Sequence, residues 1–242
     1  MLLAAGRGER MRPLTDRTPK PLLEVQGKAL MQWHLRALAQ GGVQSVAINT
    51  AWLGEHIETA FGTDTEGLAL HYSHEGRDFG GALETAGAIA RALPLLGPVF
   101  WVVAGDVYAP DFVFSGDALN RFSTSDKLAH LWLVPNPEHN PGGDFGLQST
   151  QGQNAALALN LARDSAEPLW TYSTIGLYRR ELFVPPWCAI EPGNPHGTKA
   201  SLAPLLRAAM DQQRVSAELY TGRWTDVGTP QRLALLNATS SS

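Results

Sequence analysis

The start of this chain places glycine, arginine, lysine and proline in an order suited to gripping a polyphosphate. An apolar run, Met1–Ala5, leads into Gly6-Arg7-Gly8-Glu9-Arg10-Met11-Arg12-Pro13, and Thr18-Pro19-Lys20-Pro21-Leu22 follows shortly after. Glycines at 6 and 8 let backbone N–H groups come close to a phosphate. Arg10 and Lys20 add positive charge, and prolines 13, 19 and 21 stiffen the segment that carries them. Residues 1–20 hold Arg7, Arg10, Arg12, Arg17 and Lys20 against Glu9 and Asp16, although the 242-residue chain has a net charge of −4. A basic head on an acidic protein fits a small polyanionic ligand, the bland alternative being a solvated face. The overall balance argues against a general nucleic-acid or membrane-surface binder.

Three phosphate-binding patterns compete for this loop. A dinucleotide fingerprint needs a third glycine where Met11 stands, and a P-loop needs a Gly-Lys-Ser/Thr string that the chain lacks. The third pattern depends on the elements around the loop. Met1–Ala5 reads as a short buried strand, and in an open α/β sheet ligands bind beyond the carboxyl ends of strands. Leu30, Trp33, His34, Ala37 and Leu38 follow helical spacing up to Gly41-Gly42. Ser45–Asn49 then reads as a strand, Leu53–Phe61 as a helix stopped by Gly62, and Leu68–Tyr72 as a strand. Leu83–Leu93 reads as a helix closed by Pro94, and Val99–Ala104 as a strongly apolar strand. Repeated units of this length imply right-handed crossovers and a mixed, mostly parallel sheet with helices on both faces. Further on, Leu128–Val134, Trp170–Tyr178 and Val215–Tyr220 read as strands, Leu202–Gln213 and Thr229–Asn237 as helices, and Asn136–Gly143 as a loop. With 44% hydrophobic residues, one α/β domain over residues 1–237 is expected, with a flexible tail at 238–242.

The string Leu3-Ala4-Ala5-Gly6-Arg7-Gly8-Glu9-Arg10, followed by Pro19-Lys20-Pro21-Leu22, closely resembles the signature of the sugar-phosphate nucleotidyltransferase family. The resemblance continues at Leu83-Glu84-Thr85-Ala86-Gly87, Val103-Ala104-Gly105-Asp106, Gly143-Asp144-Phe145-Gly146, Tyr172–Tyr178 and Trp224-Thr225-Asp226-Val227-Gly228-Thr229-Pro230, and so spans nearly the whole chain. It implies the Rossmann-like three-layer sandwich of nucleotide-diphospho-sugar transferases. It also implies transfer of a nucleoside monophosphate from an NTP to a sugar 1-phosphate, with release of pyrophosphate. Within the family, the short C-terminus and Gly143–Leu147 look most like the uridylyltransferases that use N-acetylmuramate 1-phosphate in cell-wall recycling. Thymidylyl or uridylyl transfer to glucose 1-phosphate, guanylyl transfer to mannose 1-phosphate, and an inactive nucleotide-binding regulatory relative are the alternatives.

Carried over residue by residue, the resemblance gives each group a role. Ala4, Ala5, Gly6 and Gly8 meet the nucleotide's phosphates, and Glu84 and Gly87 its base. Lys20 sits on the phosphates being joined, and Arg10 on the leaving pyrophosphate. Asp106 and Asp226 hold Mg2+, a hard cation that takes one or two carboxylates plus substrate phosphates. Asp144, Gly146 and Thr174 face the sugar. Without the resemblance, Asp106 could be a helix cap, Asp226 a turn former, Glu84 a residue favouring a helix N-terminus, and Asp144 a loop brace. The expected partners are an NTP and a sugar 1-phosphate, with no nucleic acid and no membrane. A monomer is expected, because the short C-terminus lacks the extra helices of tetrameric relatives.

The remaining residues point to no other chemistry. Cys188 is the only cysteine, which fits a reducing, cytoplasmic setting, and no apolar run approaches a membrane span. The histidines lack metal-ligand spacing, and Ser73, Ser173 and Ser201 lack a nucleophile's context. Four departures from the family pattern fall near the base and the sugar. Gly76–Gly81 is long and glycine-rich, Ala104 stands where asparagine is common, Arg163–Pro168 lacks a lysine, and Thr174 replaces an expected glycine.

Overall fold

The structure, a computed structural model, describes residues 1–148 and 156–238. Ala238 closes the last helix, and the rest of the expected tail, residues 239–242, lies outside the described residues. The described chain gathers into two compact units. The first is built from residues 1–83, 103–116 and 222–238, and the second from residues 84–102, 117–148 and 156–221.

In the first unit the strands run in the order Asp64–Thr65, Leu68–His74, Ser45–Thr50, Leu2–Leu3 and residues 103–104. The outer pair is antiparallel and the other neighbours are parallel. Helix Leu30–Gln40 buries Leu30, Met31, His34, Leu35 and Leu38, a stripe at the spacing that makes one face of a helix apolar. Gly41 follows it because a Cβ there would lie 2.2 Å from the carbonyl oxygen of Phe114. Helix Gly54–Phe61 stops at Gly62, whose φ of 62° is cheap only for glycine. A short helix at Glu75–Phe79, ended by Gly80 at φ 77°, occupies the start of the glycine-rich stretch.

In the second unit the order is Phe145–Gln148, Ala156–Leu159, Val215–Leu219, Ala129–Val134, Leu169–Arg179 and residues 99–102. Val215–Leu219 and Ala129–Val134 are parallel, while the pairings at Phe145–Gln148, Ala156–Leu159 and between Leu169–Arg179 and Ala129–Val134 are antiparallel. Helices Glu84–Ala92, Gly116–Thr124 and Ala203–Asp211 accompany these strands. The sheet is thus of the mixed α/β kind expected from the sequence, with its parallel run in the first unit. The strand Val99–Ala104 has the bounds read from its apolar run.

Two features of the first unit position the candidate site. Val107–Tyr108 and Thr225–Asp226 form an antiparallel pair that sets Val107 opposite Asp226, and the Val227 N–H donates to the Asp106 carbonyl at 3.1 Å. Beneath them Met11, Leu23, Val25, Leu30, Tyr108, Val227 and Leu233 form one buried apolar cluster. That cluster explains Met11, because the position where a dinucleotide loop needs glycine is here a fully buried plug. Burying a side chain of this size contributes about 1.5–3 kcal/mol.

Gly105 sits directly before Asp106 and donates its N–H to the Leu3 carbonyl at 2.8 Å. A Cβ at this position would lie 2.9 Å from Leu2 Cδ2 and 3.0 Å from the Leu3 oxygen, inside ordinary contact. Gly105→Ala is therefore expected to destabilise the protein by about 1–3 kcal/mol through overpacking, read as a lower midpoint of urea unfolding. An unchanged midpoint would mean that the strand end relaxes freely.

Candidate active site

The charged cluster of the first unit grows from Lys20. Its short 3-10 turn, Lys20–Leu22, is flanked by Pro19 and contains Pro21, so little backbone freedom remains. Lys20 is buried, at 7% exposure. It donates to Asp106 Oδ2 at 2.6 Å and lies 3.9 Å from Asp226 Oδ1. Asp226 is gripped from its other side, where Arg232 Nη1 donates at 2.9 Å both to its carbonyl and to Oδ2. A Cβ on Gly228 would lie 3.0 Å from Arg232 Nη1, 3.0 Å from Asp226 Oδ2 and 3.3 Å from Arg10 Nη2. Gly228 thus leaves room for Arg10 to reach the same cluster. The structure brings Arg10, Lys20, Asp106 and Asp226 together as the sequence suggests, and adds Arg232.

This donor set fits a divalent cation of the magnesium kind. Two hard carboxylates converge on one ammonium, and both remain partly exposed. Among the described residues no group of three or more His, Cys, Asp or Glu could hold a metal. The protein thus offers two aspartates, a number that suits a cation completing its shell with water and substrate phosphates.

The glycine loop is braced from outside. Gly8 has φ 66°, and a Cβ there would meet Thr15 Cγ2 at 3.0 Å and Lys20 Cβ at 3.3 Å, whereas one on Gly6 would meet nothing within 4 Å. Gly8 is therefore required by the turn, and Gly6 faces open space. The Thr15 hydroxyl donates to the Gly8 carbonyl at 2.9 Å. Arg7 stacks on Trp52 at 3.8 Å, and both donate to the Thr15 carbonyl at 2.9 Å. Arg7 and Arg12 also share Asp16, and Arg7's hydrogen bond is the main reason its carboxyl lies below the usual range. Much of the basic head is thus internally paired, and Ala4 donates its own N–H to Asn49.

The second unit carries the residues assigned to base and sugar. Glu84 opens its helix at φ 58° and accepts from the Ser201 hydroxyl. The N–H groups of Ala86 and Gly87 both donate to the Ala200 carbonyl, at 2.8 and 3.1 Å, and Asn194 Nδ2 donates to the Gly87 carbonyl at 3.1 Å. Asp144 Oδ2 accepts from the Tyr172 N–H at 2.8 Å, so this carboxylate braces the loop. Gly146 makes room for Leu161, whose Cδ1 would lie 2.4 Å from an added Cβ. Thr174 has φ 64°, within an irregularity of strand Leu169–Arg179 between Tyr172 and Gly176. The glycine expected at 174 would accept that angle freely. A β-branched residue is strained there.

His34 is a contributor that sequence spacing marks only as a core residue. Buried in helix Leu30–Gln40, it donates from Nε2 to the Val107 carbonyl at 2.8 Å, beside Asp106. Burial lowers its pKa to about 4, against smaller opposing effects from Val107 and Asp106.

Fold and site together define a mixed α/β protein in which one buried lysine, two aspartates and flanking arginines converge behind a glycine loop. The nucleotidyl transferase family profile matches residues 1–241, and the chain belongs to that family. The N-acetylmuramate alpha-1-phosphate uridylyltransferase of Neisseria meningitidis is 48% identical over 96% of this chain and 94% of its own length. The protein of the same name from Caulobacter vibrioides is 31% identical over 96% of this chain and 92% of its own. Among solved structures, a UTP-bound UGPase from Acinetobacter baumannii superposes with a TM-score of 0.74, covering 99% of this chain and 91% of that one at 15% identity. That likeness establishes the fold.

Two outcomes follow from this geometry. Thr174→Gly is expected to raise stability by about 0.5–1 kcal/mol by relieving the left-handed angle, while turnover at limiting sugar phosphate falls. A melting temperature that does not rise would show that the strain relieved is no larger than the extra unfolded-state entropy that glycine brings. The second outcome concerns acid. The unfolded chain protonates His34 near 6.5 and the folded protein near 4, so unfolding takes up a proton between these values and stability falls as pH drops through that window. Between pH 7 and 5 the loss from this group is on the order of 2 kcal/mol. His130, buried and also lowered to about 4, adds a similar amount. His34→Gln should therefore show a shallower pH dependence of unfolding free energy than wild type, and parallel curves would refute the assignment.

Proposed function

We propose that this protein transfers uridine monophosphate from UTP to N-acetylmuramate 1-phosphate, giving UDP-N-acetylmuramate and pyrophosphate. The observation that carries the reaction type is the convergence of Lys20, Asp106 and Asp226 in a chain of the nucleotidyl transferase family. The choice of UTP and the muramate sugar is supported by the relatives with 48% and 31% identity, whose names specify that pair. Such a reaction belongs to cell-wall recycling in the cytoplasm, where nucleoside triphosphates are available. Among the described residues no helix is long and apolar enough to cross a membrane.

The chemistry asks for charge neutralisation and alignment. A sugar 1-phosphate has a second pKa of about 6 and is largely dianionic near pH 7, so its oxygen needs no general base. It attacks the α-phosphorus of UTP; the new P–O bond forms in line with the bond to the β-phosphate oxygen, which breaks and leaves as pyrophosphate. Lys20 places a compact positive charge on the phosphates being joined. Arg10 binds the departing pyrophosphate, with the open backbone at Gly6 as a close approach. Arg232 holds the Asp226 carboxylate at its outer oxygen. Asp106 and Asp226 would hold magnesium, which when bound offsets the negative charge of the triphosphate. In the second unit Glu84 and Gly87 serve the base, and Asp144, Gly146 and Thr174 the sugar.

The test is pyrophosphate release with magnesium across UTP, dTTP, GTP, CTP and ATP, each against N-acetylmuramate, N-acetylglucosamine, glucose and mannose 1-phosphates. One dominant signal, for UTP with N-acetylmuramate 1-phosphate, is expected; a dominant signal elsewhere replaces the substrate pair. In the active combination Lys20→Ala, Asp106→Asn and Asp226→Asn should each lower kcat by about 10²–10³ while circular dichroism stays unchanged. Wild-type kinetics in Asp106→Asn would remove that residue from the cation site.

A further inference from the structure

Beneath the glycine loop runs a buried chain of hydrogen bonds whose side chains, Asn49 and Glu75, have no assigned part in the reaction. The Ala4 N–H donates to Asn49 Oδ1 at 2.9 Å, Asn49 Nδ2 donates to Glu75 Oε1 at 2.9 Å, and the Leu83 N–H donates to Glu75 Oε2 at 2.8 Å. Ala4, Asn49, Glu75 and Leu83 are all buried, Glu75 at 0% exposure. The geometry is set from both sides. Parallel pairing puts Leu3 beside Asn49, and Gly76 lets the helix of Glu75 rest on the backbone of Ala51, where a Cβ would lie 2.6 Å from the Ala51 oxygen.

The chemistry of this chain is restrictive because both of its ends are backbone amides, which only donate. The side chain at 49 must accept from Ala4, the side chain at 75 must accept from Leu83, and exactly one donor must stand between them. Asparagine accepts with one atom and donates with the other, and Glu75 accepts with both oxygens. Glutamine at 75 would turn an amide donor on a backbone donor, and aspartate at 49 would set two carboxylates face to face. One other isosteric pair satisfies these three hydrogen bonds: aspartate at 49 with glutamine at 75.

We propose that Asn49 and Glu75 are positioning residues for the nucleotide. They tie the first residues of the glycine loop to Leu83 and so hold the loop in the register that grips the phosphates. The proposal rests on the uridylyl-transfer reading above. A residue that merely supports folding would lower the active fraction and hence kcat. A positioning residue raises KM for the nucleotide, because the loop must be reordered each time UTP binds.

The experiment compares wild type with Asn49→Asp, Glu75→Gln and the double variant, using the full chain, UTP with magnesium, calorimetric binding and pyrophosphate release. Each single variant should raise Kd and KM for UTP by about tenfold or more, the effect of leaving a buried group unmatched. KM for the sugar phosphate should change little. The double variant should return to within about threefold of wild type, a coupling that independent sites do not show. If either single variant does not fold, the double variant carries the test and must both fold and bind UTP like wild type. Singles with wild-type KM overturn the proposal, as does a double variant that is unfolded or binds UTP no better than the worse single. Wild-type protein that neither binds nor uses any NTP removes the underlying reading together with the proposal, whereas wild-type turnover with indifferent variants removes the proposal alone.

Discussion

An ammonium group taken out of water must find negative partners, and in this protein that demand organises the first unit. Lys20 is buried and its nitrogen reaches Asp106 closely and Asp226 more distantly. Neither carboxylate is near Lys20 in sequence, so the chain must bring three separate segments to one place. Removing one member of such a set would leave uncompensated buried charge, a far larger penalty than the loss of a surface ion pair. The surrounding features follow from holding these three groups in place: prolines around Lys20, a glycine before Asp106, a paired strand opposite Asp226, and an apolar cluster below that contains Met11, Tyr108 and Val227. In the proposed reaction the same three charges serve nucleotidyl transfer, so packing and chemistry would impose one geometry.

Two kinds of glycine serve the loop, and they show how it divides its tasks. Gly8 is held by its left-handed backbone and by Thr15 and Lys20, while Gly6 looks into open space. One face of the loop is closed by Thr15, Arg7 and Trp52, which leaves the other for a ligand. The basic count at the head of the chain overstates the charge on offer, because Arg7 and Arg12 are paired with Asp16 and Glu9. In the proposed reaction the phosphates fall to Arg10 and Lys20.

What could be read from the sequence follows from how local each cause is. The strand Val99–Ala104 and the helix ends at Gly41 and Gly62 are written in apolar runs and breakers that act on their own neighbours. The sugar-side glycine expected at 174 also left a trace, since Thr174 adopts the angle glycine would have. Helices Glu75–Phe79 and Gly116–Thr124 were not legible. The first is a five-residue turn held by Gly76 against Ala51 and by bonds to Glu75 that no periodicity encodes. Arg232 could not be found because its hold on Asp226 spans a loop and the first turn of a helix. Asn49 looks like any polar residue near a strand end until the register sets it beside Leu3. His34 shows the same limit, because a histidine on an apolar helical face carries no mark of the carbonyl it will meet.

The path of the chain between its two units has a consequence for how the protein is made. The first unit is interrupted twice, after Leu83 and after Gly116, and is resumed only at Val103 and Gly222. During synthesis, Lys20 emerges long before Asp226, and its ammonium lacks that second carboxylate until the second unit has been made. The apolar cluster is incomplete for the same period, because Val227 and Leu233 arrive with that last stretch. Contacts of such long sequence separation close slowly, and a chain waiting for them exposes apolar surface to its neighbours. The first unit begins first and is finished last, so a ribosome that stalls anywhere between the two interruptions leaves a product with the phosphate loop already made and no means to complete it.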